Sequence, residues 1–210
     1  RANAMPVYMG GIAGYVFEPN CTISDCTNSG EVNNDYYNNN IEYDGNASGK
    51  RANCAGGIVG VLVSTGDPNV VSSCVNSGTM TVYRGMAGGV VGYASVAQIR
   101  DCTNTGDFPT ANRNGRSGGI AAQAMNTQIE GCLNRATVTA DGTGDATTVK
   151  LGGVVGDLSE GSAVRSCDHY GILYSQTYGQ AKFVVGGIAG TSVAVTTIDD
   201  CRFGGQFQGS

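Results

Sequence analysis

The sequence has no tryptophan, a single histidine and few charged residues. Charged residues make up 14% of the chain, and the formal net charge is −5. The basic residues are scattered along the sequence, so it lacks the clustered positive charge of a nucleic-acid-binding surface, and we expect no nucleic-acid partner. No stretch approaches the roughly 18 consecutive apolar residues of a membrane span. We therefore expect no direct membrane insertion.

Leucine and other strong helix formers are also scarce, whereas glycine occurs 34 times among 210 residues. A glycine in the interior of a helix or strand costs roughly 0.5 to 1 kcal/mol relative to alanine. So many glycines are compatible with a stable fold only where tight corners or close backbone contacts require them. The composition therefore excludes a helical protein and favours short strands joined by glycine corners.

A two-part repeat accounts for most of these glycines. A Gly-Gly-aliphatic-small-Gly unit recurs six times, each copy is followed by a cysteine, and a β-branched aliphatic residue stands three positions before that cysteine. The units begin at Gly10, Gly56, Gly88, Gly118, Gly152 and Gly186; the cysteines are Cys26, Cys74, Cys102, Cys132, Cys167 and Cys201; and the aliphatic residues are Ile23, Val71, Ile99, Ile129, Val164 and Ile198.

After each cysteine, every second residue is again alike, which is the period of a β-strand with one buried face. Copies stacked about 4.8 Å apart would pair in parallel and align like side chains into ladders. The sequence thus predicts a single-chain, right-handed parallel β-helix (β-solenoid) of about six coils, forming one domain over residues 1–210. Residues 33–48 form an insertion that we expect to project as a polar loop. Besides the cysteines, the predicted ladder contains Asn28, Asn76, Asn104 and Asn134.

The recurring G-[IV]-[AV]-G segment, followed by aliphatic-x-x-Cys-x-Asn-x-Gly, resembles the GLUG-motif repeats of bacterial surface and secreted proteins. The resemblance covers essentially the whole chain. It departs from the family pattern at Ala122, which replaces a glycine, and at His169 and Phe203, which replace asparagine. The resemblance implies an extracellular, adhesin-like or stalk-like β-helix, usually without catalytic activity of its own.

The eight cysteines allow two interpretations. The six ladder cysteines are interpreted as buried free thiols, because stacked side chains lie farther apart than a disulfide permits. Cys21 and Cys54 flank the insertion, and for them a disulfide and two further core cysteines remain open alternatives. No CxxC pair occurs, so we expect neither zinc nor another metal.

Catalytic groups are not apparent in the sequence. Carbohydrate-active β-helices need carboxylates gathered across successive coils, whereas Asp25, Asp101 and Asp199 are interpreted as turn residues near the cysteines. His169 is interpreted as a ladder substitution rather than a general base, and residues 141–145 as a plain turn rather than a calcium loop. We therefore expect no catalytic residue and no cofactor.

The tyrosines are the remaining candidates for ligand contacts. Even spacing along a strand places side chains on one face, so one group could form an exposed stripe, although the favoured interpretation is that these tyrosines cover the edge of the core. A second group lies in the insertion. The candidates are Tyr36, Tyr37, Tyr43, Tyr170, Tyr174 and Tyr178.

Together these observations predict a noncatalytic, extracellular or cell-surface module exported by a bacterium, acting as an adhesin or a structural spacer. Its partner would be a protein or a glycan on a cell or matrix surface. The alternative is a carbohydrate-binding or glycan-active β-helix segment. Either function is suggested by analogy of fold rather than by an identified site.

Overall fold

The computed structural model describes residues 6–34, 53–109, 112–143, 148–178 and 181–209. Within these ranges the chain forms short strands that pair in parallel with their copies in the neighbouring coils. The predicted all-β parallel solenoid is therefore confirmed. The same ranges contain no helix, and thus none that could cross a membrane. The right-handed winding and the single domain over residues 1–210 stay predictions.

The first sheet contains the strands that lead into the Gly-Gly turns and the strands that follow the asparagine corner. Its register places each first glycine of a repeat on the first glycine of the next, as in Gly56 on Gly10 and Gly88 on Gly56. Its nine strands are β1 (Tyr8–Gly10), β6 (Cys54–Gly56), β11 (Arg84–Gly88), β14 (Asn112–Gly118), β17 (Val138–Thr143), β18 (Thr148–Gly152), β22 (Ile172–Tyr178), β23 (Lys182–Gly186) and β27 (Gln206–Gly209).

The second sheet follows the Gly-Gly turns and leads to the cysteine corners. In two central coils the chain runs through this sheet as one continuous strand, and in the others it is divided into two shorter strands. Its ten strands are β2 (Ala13–Val16), β3 (Thr22–Ser24), β7 (Val59–Val63), β8 (Asn69–Ser72), β12 (Val91–Arg100), β15 (Ala121–Glu130), β19 (Val155–Ser159), β20 (Ala163–Arg165), β24 (Ala189–Ser192) and β25 (Thr197–Asp199).

The third sheet carries the residues that directly follow the cysteines, with one two-residue strand from each repeat. A small fourth sheet pairs β5 (Val32–Asn34) with β10 (Met80–Val82), so residues 33 and 34 of the insertion belong to a strand and the rest of it lies outside the described residues. The strands of the third sheet are β4 (Thr27–Asn28), β9 (Val75–Asn76), β13 (Thr103–Asn104), β16 (Leu133–Asn134), β21 (Asp168–His169) and β26 (Arg202–Phe203).

The number of fully stacked coils is slightly smaller than predicted. In the six-stranded third sheet, four strands have a neighbour on both sides and the two edge strands, β4 and β26, have only one. The structure therefore has about four complete turns, whereas the sequence predicted about six coils. The difference is visible in the aliphatic ladder, because Ile99 is fully buried whereas Ile198, at the same position of the last coil, is 44% exposed.

Most of the buried hydrophobic side chains belong to two cores, and a smaller third cluster contains Cys54, Val61, Met86 and Ala122. The larger core lies between the second sheet and the cysteine ladder, and it includes Ile99, Ile129 and Cys102. The smaller core lies against the first sheet and includes Ala87 and Phe108. Because the chain passes from one core to the other at the Gly-Gly turn and again at the asparagine, the asparagine ladder lies at the boundary between them.

Candidate functional site

The asparagine ladder is a continuous chain of side-chain hydrogen bonds along the solenoid. Each Nδ2 donates to the Oδ1 of the asparagine in the following coil, and each of the three bonds is 2.9 Å long. All of these side chains are buried, so an amide without its partner would bear a desolvation cost of about 1–3 kcal/mol. The ladder runs through Asn28, Asn76, Asn104 and Asn134.

Each asparagine also closes its own corner, which explains the Asn-x-Gly pattern. The Oδ1 of Asn104 accepts a hydrogen bond from the backbone N–H of Gly106 at 3.2 Å, and equivalent bonds form in the coils on either side. A β-carbon at position 106 would lie 1.9 Å from the carbonyl oxygen of Gly78 in the preceding coil. Glycine is therefore favoured where two corners stack in contact, and the only larger residue at the equivalent position is the small Ala136.

The two halves of the repeat meet at the ladder. A β-carbon on Gly89, the second glycine of its turn, would lie 2.4 Å from the side chain of Asn104 in the same coil. In each of the other five repeats, the corresponding glycine also lies against the ladder residue of its own coil. Gly153, for example, contacts His169. The Gly-Gly turn and the asparagine therefore recur together because each fills the space that the other leaves.

His169 ends the amide chain. Its Nδ1 lies 2.9 Å from the Nδ2 of Asn134, which can only donate, so Nδ1 accepts and the neutral ring carries its proton on Nε2. Nε2 has no hydrogen-bond partner and the side chain is fully buried. Burial lowers the pKa of His169 to about 4. On the other side the ring stacks on Phe203, with 5.7 Å between centroids, so the structure places His169 in the ladder.

The cysteine ladder follows a similar rule. Each thiol lies 3.1 to 3.4 Å from the carbonyl oxygen two residues earlier in its own coil. The intervening residue has a positive φ, which favours glycine, aspartate and asparagine. One sequence-based assignment is wrong here, because the last turn residue is Asp200 and not Asp199. The turn residues are Asp25, Ser73, Asp101, Gly131, Ser166 and Asp200.

None of the eight cysteines, which all lie within the described ranges, forms a disulfide. The disulfide considered between Cys21 and Cys54 is absent, because the two residues lie in different parts of the coil. Cys54 pairs with Tyr8 in the first sheet, whereas the backbone N–H of Cys21 donates to Asn69 beside the second sheet. Burial raises the pKa of Cys54 to about 12, so its thiol stays protonated at neutral pH.

The candidate tyrosines do not form one stripe. Tyr36, Tyr37 and Tyr43 lie outside the described residues. Tyr170 follows the third sheet, and the corner at Gly171 separates it from Tyr174 and Tyr178, which lie in β22 of the first sheet. Equal spacing in the sequence thus continues across a corner, where it no longer keeps side chains on one face.

Tyr170 is held on both sides by neighbouring coils. The guanidinium carbon of Arg135 lies 5.4 Å from the ring centroid, and the ring packs closely against Gly204 of the next coil. Its hydroxyl donates to Asp168 at 2.9 Å and accepts from Arg202 at 3.3 Å. Both faces of the ring therefore contact residues of neighbouring coils, although 36% of Tyr170 is exposed.

A buried ionic cluster on the outer side of the Gly-Gly turns was missed from the sequence. Asp157, only 3% exposed, accepts hydrogen bonds at 2.7 Å from Arg116 of the preceding coil and from Lys150 of its own coil. Thr191 of the following coil donates to its other oxygen. Burial by itself would raise the pKa of Asp157, but hydrogen bonds from these three residues outweigh it and hold the pKa below its ordinary value.

The repeat register contains a signal for this cluster. Arg116 and Lys150 both stand two residues before a repeat start, and they pair directly in the first sheet. Gln123, Asp157 and Thr191 all stand five residues after a start and pair in the second sheet. The predicted ladders join positions with like residues, whereas the residues in these two columns differ from coil to coil. Both columns are apolar or aromatic in the early coils and polar at the cluster, and the first column returns to an apolar residue at Val184.

The same two columns present aromatic rings at the first coil. Tyr15 stacks on Tyr8 with 5.4 Å between ring centroids and on Phe17 with 5.8 Å. Tyr15 and Phe17 are 42% and 44% exposed. Tyr15 lies in β2 and Phe17 directly follows the strand, and their two-residue spacing places both side chains on the outer face of the second sheet. This aromatic strip, Tyr8, Tyr15 and Phe17, is an exposed apolar surface that sequence inspection did not single out.

The described residues offer little for tetrahedral metal binding. They contain no group of three or more histidine, cysteine or acidic side chains placed to hold a metal ion. Of the loop considered for calcium, residues 141–143 belong to β17 and residues 144–147 lie outside the described ranges. The identified interactions bind one coil to the next, which is a structural role.

These features define the chain as a parallel β-solenoid built from stacked repeats, a class not typical of catalytic domains. The family described as Glug, the GLUG motif, has a model that matches residues 83–108. That segment is one repeat of the solenoid, including the Gly88 turn, Cys102, Asn104 and Phe108. The match supports the resemblance to GLUG-motif repeats. No curated protein and no solved structure matches the chain.

Proposed function

We propose that the chain is a noncatalytic module of an exported bacterial surface protein, acting as an adhesin segment or as a structural spacer. The proposal depends chiefly on the continuous in-register stack, in which backbone ladders and the asparagine chain join each coil to the next. A stack of this kind is a stiff rod that advances about 4.8 Å per coil. Such a rod is suited to holding a binding surface at a distance from the cell that carries it.

The charged groups favour the same interpretation. Asp157 is saturated by Arg116, Lys150 and Thr191, so it is poorly placed to act as a nucleophile or a general base. The hydrogen-bonded His169 is enclosed in the core and cannot reach a substrate without unfolding of the coil. A glycosidase would need two carboxyl groups that flank an open substrate site. The buried polar groups instead support the stack.

A glycan-binding function is the second candidate, and the aromatic strip is the observation that favours it. Tyr15 and Phe17 expose apolar ring surface on the outer face of the first coil, and aromatic rings are common contacts for sugars and for proteins. Tyr170 is less suited to this role because Arg135 and Gly204 flank its ring. Partners of either kind would lie on a cell or matrix surface.

The test is a binding assay with the purified chain on arrays of glycans and of extracellular-matrix proteins. A double variant, Tyr15→Ala with Phe17→Ala, is compared with the triple variant Tyr170→Ala, Tyr174→Ala and Tyr178→Ala. Glycan binding lost only in the double variant would assign the aromatic strip as a sugar-binding surface. Binding to a matrix protein would support the adhesin role, and no binding by the parent would favour the spacer. Shortened glycan products after incubation would contradict the noncatalytic assignment.

A further inference from the structure

The corner between the two halves of the second sheet is longer in the second coil than in the third. Val63 pairs with Ser95, and Asn69 pairs with Ala97. Five residues, 64–68, therefore lie where the next coil has a single residue. The last four of these five residues are exposed. This segment, the 64–68 loop, projects from the stack into solvent.

Hydrogen bonds to its own coil and to the preceding coil hold the 64–68 loop in place. Asn69 is fully buried at the base of the loop, and its Nδ2 donates to the carbonyl oxygen of Val63 at 2.9 Å. Its Oδ1 accepts from the backbone N–H of Cys21 at 2.9 Å. Nearer the tip, Nδ2 of Asn20 donates to Oδ2 of Asp67 at 3.3 Å. The loop is therefore exposed, but its conformation is restricted.

The loop contains the only Asp-Pro sequence of the chain, Asp67–Pro68. The hydroxyl of Ser64 donates to the carbonyl oxygen of Asp67 at 2.5 Å. The same hydroxyl oxygen accepts from the backbone N–H of Gly66 at 3.1 Å, so its own proton is directed at the carbonyl group. A donor at this position polarises the carbonyl group and stabilises the negative charge that develops on the oxygen when a nucleophile attacks the carbon.

Asp67 carries a nucleophile for this carbonyl group in its own side chain. A carboxylate oxygen that attacks the carbonyl carbon of the same residue closes a five-membered ring, and an intramolecular attack has a large entropic advantage. Oδ2 is held by Asn20, which leaves Oδ1 for the attack. The competing reaction, in which the next backbone nitrogen attacks the side chain, requires an N–H group that Pro68 lacks.

We propose that the chain cleaves its own Asp67–Pro68 bond in mildly acidic solution, and that the folded 64–68 loop accelerates this reaction. Oδ1 of Asp67 forms a bond to the carbonyl carbon, the bond from that carbon to the Pro68 nitrogen breaks, and the nitrogen takes a proton from solvent. The cyclic anhydride left on Asp67 is then opened by one water molecule and gives two carboxyl groups. The net reaction is the hydrolysis of one peptide bond, and no oxidant or reductant is consumed.

Mild acid supplies both reactants, because aspartate carboxyl groups in general are still largely ionised near pH 5 while protons are available for the leaving nitrogen. Of the corners stacked at this place, the first contains the titratable Glu18, the second contains Asp67, and the third, at Val96, contains no titratable group. The reaction occurs once in each chain. It is therefore compatible with a module that does not act on other molecules.

The two products should stay together, because the strands on both sides of the cut keep their partners. β7 pairs with β2 and β12, and β8 pairs with β3 and β12. The expected product is a nicked solenoid with a new N-terminal proline. Its two pieces should separate only after denaturation.

The test is incubation of the purified 210-residue chain at pH 5, with circular dichroism to verify that it stays folded and mass spectrometry after denaturation. We expect the fragments 1–67 and 68–210, whose masses add up to the parent plus one water. The Glu18–Pro19 bond is an internal control and should stay intact, because a glutamate side chain has to close a larger ring.

Matched variants test the role of the loop. Ser64→Ala should be cleaved about tenfold more slowly, because the hydrogen bond to the carbonyl oxygen is lost. Thr65→Ala removes the neighbouring exposed hydroxyl and should be cleaved at the rate of the parent. Asp67→Glu keeps the charge at an exposed position and should stay intact, and it serves as the second variant if Ser64→Ala fails to fold.

The chain unfolded in urea at the same pH gives the rate of an Asp-Pro bond without the loop structure. We expect the folded parent to be cleaved at least about tenfold faster than the unfolded chain. The proposal is overturned if the unfolded chain is cleaved as fast as the folded one, if Ser64→Ala, once folded, matches the parent, or if Asp67→Glu is cleaved at the same bond. An intact parent after prolonged incubation would overturn it as well.

Discussion

Acid should destabilise this protein through one identified residue. His169 is the only histidine of the chain, it is fully buried, and its pKa is about 4 in the folded protein against an ordinary value of 6.5. Between these two values the unfolded chain binds a proton that the folded protein does not. The contribution of neutral His169 to stability is therefore complete above pH 6.5 and is lost as the pH falls towards 4.

The size of the effect follows from the two pKa values. Integrating the proton linkage from pH 7 to pH 5 gives a loss of about 2 kcal/mol in the free energy of unfolding, and the loss approaches about 3 kcal/mol below pH 4. The range from pH 7 to pH 5 is the informative one, because ordinary carboxyl groups stay largely ionised there. Urea unfolding measured at half-unit pH steps gives this curve directly.

The control is His169→Asn, which places the residue of the preceding four coils at this position and removes the titrating group. We expect the variant to lose much less stability than the parent between pH 7 and pH 5. The imidazole resonances of the parent should titrate in NMR spectra with a midpoint near pH 4. Equal losses in the two proteins, or an imidazole midpoint near 6.5, would refute the reasoning.

Three further predictions concern single positions of the stack. Asn104→Ala removes the acceptor of Asn76 and the donor to Asn134, so we expect a loss of about 3 kcal/mol in urea unfolding, and a smaller loss for Asn28→Ala at the end of the ladder. Val96 has a φ of 53°, which is costly for a β-branched residue. Val96→Asn, which introduces the residue found at the same corner in the next coil, should raise the free energy of unfolding by about 1 kcal/mol, whereas Val75→Asn, outside the positive-φ positions, should not. Asp157→Asn should cost about 2 kcal/mol because Arg116 and Lys150 lose their buried counter-ion. The exposed Asp199→Asn should leave the denaturation midpoint unchanged, and equal shifts in the two aspartate variants would contradict the role of the ionic cluster.

Much of the stack was predictable because its rule is identity at a fixed register. The alternation after each cysteine predicted that Asn76 stacks on Asn28 and Asn104 on Asn76, and the strands pair in this register. The sequence also predicted that glycine is required at corners. It did not predict that Gly89 contacts Asn104, since a contact across a coil depends on how far the chain travels between its corners.

Two of the errors arise at the corners of the coil. A spacing rule applies along one strand, so it failed for Tyr170 and Tyr174, which a corner separates. Cys21 and Cys54 are neighbours of the insertion in sequence, yet the turn between the two sheets separates them in space. Asp157 was missed for a different reason, because its partners occupy equivalent positions with unlike side chains and leave no recurring pattern.

The asparagine ladder is the most direct test of the in-register stack. Side-chain amide protons of Asn104 should give NMR cross-relaxation peaks to the side chains of Asn76 and Asn134, which lie 28 and 30 residues away in the sequence. Spectra of the parent, with assignments checked in Asn104→Ala, provide the measurement. Peaks to both neighbours are the result that the stack predicts. Their absence, or peaks to residues at a shifted register, would contradict the account.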